Sequence, residues 1–339
     1  MVSCCRRWAT RYPRIAFAAV LTLAAVPTAR SQPQAELVLH FVEIGQGDCT
    51  LIECPNGGFI LVDAGSTARG DRDAVRDYVR EQLDQANPRI DTVVVTHPHT
   101  DHYNFLPDVL TDDIEVGQVL LVEGNDTYQQ AGGNFDGWMQ NRPAVPIVRL
   151  DEDDIDPAGD PNDTRTCGDA DVFVLAANVG GSNAPRNDRS IVLMLSYGQF
   201  DVVLTGDATK ATEDAIIAEY DDDWLGIELL KVGHHGSVST STSPQWAAVT
   251  HPIVAVVSCA FENPHGHPGR NVIRRLDDFT FDADPHQMQW AFRANRQRVW
   301  HVEPAYTESI YSTVMSGTIV VRATETSFGI DVSRDGPPP

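Results

Sequence analysis

Between residues 37 and 65 the apolar positions fall into three short runs, 37–44, 49–54 and 59–62, separated by Gly45-Gln46-Gly47-Asp48 and Pro55-Asn56-Gly57-Gly58. Runs of that length with Gly-rich punctuation predict a meander of strands joined by tight turns. The spacing then changes. Val75, Tyr78, Val79 and Leu83 recur three and four residues apart, which predicts a helix over 71–86 with Asp71 as its cap and Pro88 beyond its end. The apolar run 90–95 reads as a buried strand, and 119–122 and 145–150 as two more. Further on, 172–176 is strand-like, and 191–197 and 200–205 form a hairpin about Gly198-Gln199 that ends at Gly206-Asp207. A helix over 209–220, a strand over 228–232, a short helix over 244–249, a strand over 253–257 and a helix over 271–276 continue the pattern. Strands come first, then strand and helix alternate, twice over. Such an order predicts an α/β chain (α+β in some schemes) built as an αββα four-layer sandwich, two mixed sheets face to face with helices outside. Residues 288–300 read as a partly buried amphipathic element, although Trp290, Phe292 and Trp300 beside Arg293, Arg296 and Arg298 also suit nucleic acid. Residues 317–332 read as a closing hairpin and 335–339 as a frayed tail.

Composition adds compartment and charge. With 339 residues, 42% apolar and 22% charged, the chain suits a soluble globular protein. Arg6, Arg7, Arg11 and Arg14 precede the apolar segment 15–26, and Ala29-Arg30-Ser31 offers small residues for cleavage, so 1–31 read as an export signal. The mature chain is then expected from Gln32, secreted or periplasmic, with no stable membrane insertion once the signal is gone. The apolar stretch is shorter than the roughly 20 residues that span a bilayer; an uncleaved anchor is the alternative, and Arg6-Arg7 is compatible with twin-arginine export. Loss of 1–31 removes five arginines and no acid, moving the formal charge from -23 to -28. So acidic a surface repels polyanions and argues against a broad DNA-binding face; a nucleic-acid substrate would need a local basic cleft or bound cations. The seven acidic residues of 151–163, part of a loop over about 151–170, lack the ordered ligands of a calcium loop and read as a solvated excursion. Cys49, Cys54, Cys167 and Cys259 remain after the signal and allow one or two disulfides of undetermined connectivity. Cys49 and Cys54 lie five apart on one strand, on opposite faces, and are not expected to pair with each other.

The chemistry concentrates at strand ends. Thr96-His97-Pro98-His99-Thr100-Asp101-His102 holds three of the eleven histidines directly after a buried strand. His97 and His99 can point one way while Asp101 and His102 reach a second position, so one loop can start two adjacent metal sites. Asp207 closes Leu204-Thr205-Gly206-Asp207 at the same sheet edge, where its carboxylate is a bridging ligand or a helix cap, a task Thr209 can also perform. His234 and His235 follow Leu229-Leu230-Lys231-Val232-Gly233 in the same strand-to-loop arrangement.

Taken in order, these motifs resemble the metallo-β-lactamase fold superfamily, specifically the extracellular hydrolase domain of ComEC-type competence proteins. The residues that carry the resemblance are Val42-Glu43-Ile44-Gly45-Gln46-Gly47-Asp48, Leu61-Val62-Asp63-Ala64-Gly65, the Thr96 to His102 cluster, Asn187-Asp188-Arg189-Ser190-Ile191-Val192-Leu193, Leu204-Thr205-Gly206-Asp207, Leu230-Lys231-Val232-Gly233-His234-His235-Gly236-Ser237 and Gly266-His267-Pro268. The resemblance implies one hydrolase domain over 32–334, with a C-terminal extension from about 277. It also implies two divalent ions, zinc or manganese: His97 and His99 hold the first, Asp101, His102 and His234 the second, and Asp207 bridges them. Asp63, Asn187, Ser190 and His235 stand behind these ligands, Asp63 orienting the histidine loop. Asp101 and His267 are the expected catalytic groups. One departure matters. Asn187-Asp188-Arg189-Ser190 stands where the superfamily's third histidine is expected, which leaves the first ion poorer in nitrogen and moves preference from zinc toward manganese. Two ions about 3.5–4 Å apart lower the pKa of a shared water toward ~7, so the implied reaction is hydroxide attack on a phosphodiester, with His267 or a water protonating the leaving group. Lys231, Arg189 and Ser237 can face an anionic substrate, but an ordinary surface or packing role is the preferred reading of each.

Three functions compete: a phosphodiesterase acting on DNA, a hydrolase of cell-wall or small phosphoesters resembling phosphorylcholine esterases, and a non-catalytic metal-containing module that binds DNA or a partner. The partner expected is an anionic ester substrate, DNA first. The fold alone does not choose among them.

Overall fold

The computed structural model describes residues 35–338 except 131, 156–164, 281–284 and 295–296. Residues 1–31, read above as an export signal, and much of the acidic tract therefore lie outside the described residues. Two sheets dominate. The first has eight strands in the order Phe328–Val332, Ile319–Ala323, Leu37–Phe41, Gln46–Glu53, Phe59–Ala68, Arg89–Val95, Glu115–Val122 and Ile147–Leu150. The second has seven, in the order Ile310–Ser312, Val254–Val257, Leu229–Lys231, Phe200–Leu204, Val192–Tyr197, Ala170–Ala176 and Arg165–Cys167. Both are mixed: the meander at the start of the first sheet is antiparallel, and its strands from Phe59 onward run parallel. The expected αββα layering is the observed one.

Its cause is visible in the alternation of side chains along each strand. Val94 and Val62 point between the sheets, where they meet Leu193, Leu204 and Val256 of the second sheet. Their neighbours Val93, Val95 and Leu61 point outward and pack on Val75 and Val79 of the helix Arg72–Gln82. A strand covered on both faces has no polar side, which is why 93–95 read as an unbroken apolar run. The second sheet repeats this arrangement, with Met194, Val203 and Leu230 outward against Ile216, Trp246 and Ile273 of its helices.

Capping follows the local chemistry. The Asp71 carboxylate accepts from the backbone N–H of Asp73 and Ala74, both at 3.1 Å, and Thr209 caps the helix Lys210–Glu219. Thr209 thus takes the capping task and leaves Asp207 free.

Several features differ from expectation. The strand predicted at 59–62 runs on to Ala68, bulged against its neighbour. The short strand Ile310–Ser312 joins the second sheet, parallel to Val254–Val257. The amphipathic element at 288–300 is an antiparallel ribbon, His286–Ala294 with Gln297–Tyr306, separate from both sheets. The tail expected to fray is pinned as far as Gly336, whose N–H donates to the Met315 carbonyl, while Arg334 pairs with Glu43. Cys54 and Cys167 form a disulfide that ties the first sheet to the edge strand of the second, and Cys49 and Cys259 are buried free thiols. Cys49 packs on the outer face of its sheet and Cys54 on the inner, in keeping with their five-residue spacing. No helix among the described residues is long and apolar enough to cross a membrane.

Candidate metal centre

All the chemistry-bearing loops leave the sheets at the same edge. The strand Arg89–Val95 ends at Thr96, whose N–H and hydroxyl both donate to the Asp63 carboxylate at 2.8 Å. The other donor to Asp63 is His102, through Nδ1 at 2.7 Å. Asp63 therefore fixes both ends of the histidine loop. The loop lies hard against the first sheet: a Cβ at Gly65 would stand 2.6 Å from the Tyr103 nitrogen and 2.7 Å from that of His102. Glycine at this position is what lets the turn Thr100–Tyr103, with Asp101 and His102, sit directly over the strand.

Asp207 is the hub. Its Oδ1 lies 3.4 Å from His102 Nε2 and 3.5 Å from His235 Nε2, while its Oδ2 lies 3.7 Å from both His97 Nε2 and His234 Nε2. Asp101 closes one side, with Oδ2 3.6 Å from His235 Nε2. These separations are too long for hydrogen bonds. Correspondingly, His102 Nε2, His235 Nε2 and Asp207 Oδ1 are buried without a hydrogen-bond partner among the described residues. Ligands about 2.0–2.2 Å from one tetrahedral ion stand roughly 3.3–3.5 Å from each other, so the orphaned atoms have the spacing that a shared cation needs. A second group, His97, His99 and Asp207, lies beside the first. The buried Asp/His cluster fits divalent metal ions.

Electrostatics agree. Against the cost of burial, Asp207 and Asp63 hold His102 well above the usual imidazole range, and Asp207 and Asp48 raise His235. Burial raises the Asp207 carboxyl, but the charges of His235 and His102 outweigh it and hold the group well below the usual carboxylate range. The carboxylates that favour protons on these two buried rings also favour a cation between them, and a metal ion bound there would displace those protons. His97 is different: burial and the charge of His102 hold it neutral, with Nε2 2.9 Å from His99 Nδ1.

The second expected group, Asp101, His102 and His234, comes together with His235 where His234 was expected. Both residues occupy left-handed backbone, φ 47° and 52°, which turns the His235 ring inward. Its Nδ1 donates to the Ser258 carbonyl at 2.9 Å, which aims Nε2 at Asp207 and Asp101. The His234 ring is partly exposed, bonded to Thr240 at 2.7 Å and to the Asn187 amide at 3.2 Å. Among the described residues Asn187 keeps a buried Oδ1 without a partner, and Ser190 a buried hydroxyl likewise. His267 stands 5.6 Å from the His234 ring and 6.4 Å from that of His235, between centroids. Burial and those two neighbours push it down to about 3, so it stays a neutral imidazole near neutral pH and holds no extra proton to supply.

Asp48 is the residue the sequence reading passed over. It pairs with buried Lys231 at 2.8 Å and lies 3.9 Å from Nδ1 of both His102 and His235. Those nitrogens are already engaged by Asp63 and Ser258, so Asp48 stands behind the rings. Its signal was its place at the end of Gly45-Gln46-Gly47-Asp48. Arg189 is likewise internal, paired with Asp126 at 2.7 Å and Asn178 at 2.8 Å.

Comparison with known proteins follows the same lines. Residues 42–244 match the family model of the metallo-beta-lactamase superfamily. Over 250 residues the chain is 22% identical to ComE operon protein 3 of Bacillus subtilis (strain 168), covering 70% of this chain and 30% of that protein. It is 28% identical to Recombination protein 2 of Haemophilus influenzae (69% and 26% covered) and 25% identical to Competence protein ComA of Neisseria gonorrhoeae (76% and 32% covered). The chain thus spans at most about a third of the length of these relatives, and the likeness is to a ComEC-type hydrolase-like domain. With a match over more than half of its length and a buried Asp/His cluster at the expected sheet edge, the chain belongs to the metallo-beta-lactamase superfamily of metallo-hydrolases.

Proposed function

We propose that the protein is an exported phosphodiesterase that cleaves DNA with two divalent ions. The observation that carries the hydrolytic part is the division of labour at Asp207, one oxygen toward His102 and His235 and the other toward His97. In this reading His97, His99 and Asp207 hold one ion, and Asp101, His102, His235 and Asp207 hold the other. When bound, such a pair makes a hydroxide nucleophile available near neutral pH and stabilises charge on an attacked phosphoryl oxygen. Asp63 and the Ser258 carbonyl keep His102 and His235 in the tautomer that offers Nε2. Asp101, beside His235 and still partly open to solvent, is the carboxylate placed to orient the attacking water. Neutral His267 hydrogen-bonds substrate at the mouth, and a water delivers the leaving-group proton. The nitrogen-poor first group favours manganese over zinc.

DNA as substrate is supported by the likeness to competence and recombination proteins. A rival reading, hydrolysis of small or cell-wall phosphoesters, draws on the formal charge of -23, which repels polyanions. Metal-stripped protein restored with zinc or with manganese, assayed on single-stranded DNA and on bis-p-nitrophenyl phosphate beside Asp207→Ala, decides between them. Metal-dependent cleavage of both substrates, abolished in Asp207→Ala, is expected. Turnover of the small diester alone would move the substrate to small phosphoesters; turnover of neither would overturn the hydrolytic reading.

A further inference from the structure

The cations of this acidic chain are unevenly matched. On the first sheet's side several arginines are paired with carboxylates, as Arg76 is with Asp73, Arg80 with Asp113 and Arg89 with Asp91, while Arg149 donates to the Val122 carbonyl. Around the ribbon His286–Ala294 and Gln297–Tyr306 they are not. Arg298 donates to the Pro264 carbonyl, Arg270 lies 5.8 Å from the Phe292 ring, and exposed Arg293 stands directly opposite Arg298 across the ribbon. None of the three is paired with a carboxylate among the described residues. Like charges opposite one another on adjacent strands repel, so this pair does not stabilise the ribbon; it suits a ligand of opposite sign.

The ribbon's position connects it to the metal centre. Ala291 N–H donates to the Pro268 carbonyl at 2.9 Å, and the Gln289 amide to the Ala260 carbonyl at 3.2 Å. Arg298 also presses on Gly266, where an added Cβ would meet its Nε at 2.5 Å. The ribbon is therefore clamped to the loop that carries His267, whose ring is 5.6 Å from that of His234. Register pairs Ala291 with Trp300 and Arg293 with Arg298, so half-buried Trp300 shares a face with both arginines, the face from which Arg298 reaches Pro264 and Gly266. An aromatic ring beside unpaired guanidinium groups is the chemistry that holds unstacked bases and their phosphates. The ribbon also lies beyond the matched residues 42–244.

We propose that this ribbon, with Arg270, guides a single nucleic-acid strand into the metal centre, a reading that rests on DNA being the substrate. It is the local basic surface that so acidic a chain requires. Fluorescence anisotropy of a short, hydrolysis-resistant phosphorothioate oligothymidylate against the full metal-loaded chain tests it across a salt series. Arg293→Ala and Arg270→Ala should each weaken binding about threefold and flatten the slope of log K against log salt by about 0.7, one phosphate contact on a single strand. Arg76→Ala, the same charge change on the far helix, should bind as wild type does. Wild-type binding unaltered in Arg293→Ala and in Arg270→Ala, absence of wild-type binding at low salt, or equal preference for duplex would each overturn the proposal. Hydrolysis of bis-p-nitrophenyl phosphate by the wild type separates the failures: turnover without strand binding removes the ribbon's role and leaves a phosphodiesterase.

Discussion

At the scale of single residues, the adjacent pair His234 and His235 carries the sharpest test. His235 is buried, donates Nδ1 to Ser258 and leaves Nε2 orphaned toward Asp207 and Asp101; His234 bonds Thr240 and Asn187 at the partly open rim. His235→Gln should therefore lose at least half of the bound metal after dialysis, read by elemental analysis, while His234→Gln retains most of it. The reverse ranking would return the ligand role to His234. Nothing in Gly233-His234-His235-Gly236 distinguishes the two, because the choice depends on two left-handed backbone angles and on the Ser258 carbonyl just past another strand. His97, His99, Asp101 and His102 were legible because their spacing alone brings them to one sheet edge.

Elements set how firmly that edge is held. Buried Glu213, on the helix Lys210–Glu219, accepts from the backbone N–H groups of Thr242 and Ser243, in the segment that follows the His234-His235 turn. Burial, opposed by those donors, raises its carboxyl. The folded chain thus binds this proton more tightly than the unfolded one. The resulting stability is full at low pH and is lost as pH rises from the unfolded value of about 4.3 through the raised folded value. Urea unfolding across that window should show wild type falling relative to Glu213→Gln as pH rises; a constant difference would contradict it. The disulfide Cys54–Cys167 closes a separation of 113 residues between the two sheets. Its removal in Cys54→Ser/Cys167→Ser should cost about 2–5 kcal/mol, seen as a lower urea midpoint. The cysteine count allowed this bridge without identifying it, since the partners meet only when the edge strand of one sheet reaches the turn of the other.

For the whole molecule, the metal centre joins loops from both sheets, so occupancy couples to the stability of the fold. A ligand at a hundred times its dissociation constant adds about 2.7 kcal/mol to the folded state, which corresponds to roughly 4 °C in Tm for a chain of this length. Differential scanning calorimetry with and without chelator should show a fall of that order, reversed by zinc or manganese. An unchanged Tm would mean that the orphaned atoms at Asp207, His102 and His235 hold no ion in the folded chain. The net charge of -23 acts at the same scale, opposing any polyanion that lacks a local basic surface.

The sequence by itself determined the layers, because residues such as Val93, Val94 and Val95 are apolar on both faces and demand cover on both sides, and it determined which loops carry chemistry, because His97 to His102 and Asp207 directly follow buried strands. Tertiary structure decided what local pattern does not encode: which of two adjacent histidines turns inward, that Asp48 and Lys231 neutralise one another behind the rings, and which cysteines meet. It also decided that the partly buried amphipathic element is a ribbon, His286–Ala294 with Gln297–Tyr306, clamped beside the metal centre. Each of these depends on contacts between residues far apart in the chain, and the periodicity of a single strand or helix holds no record of its partner.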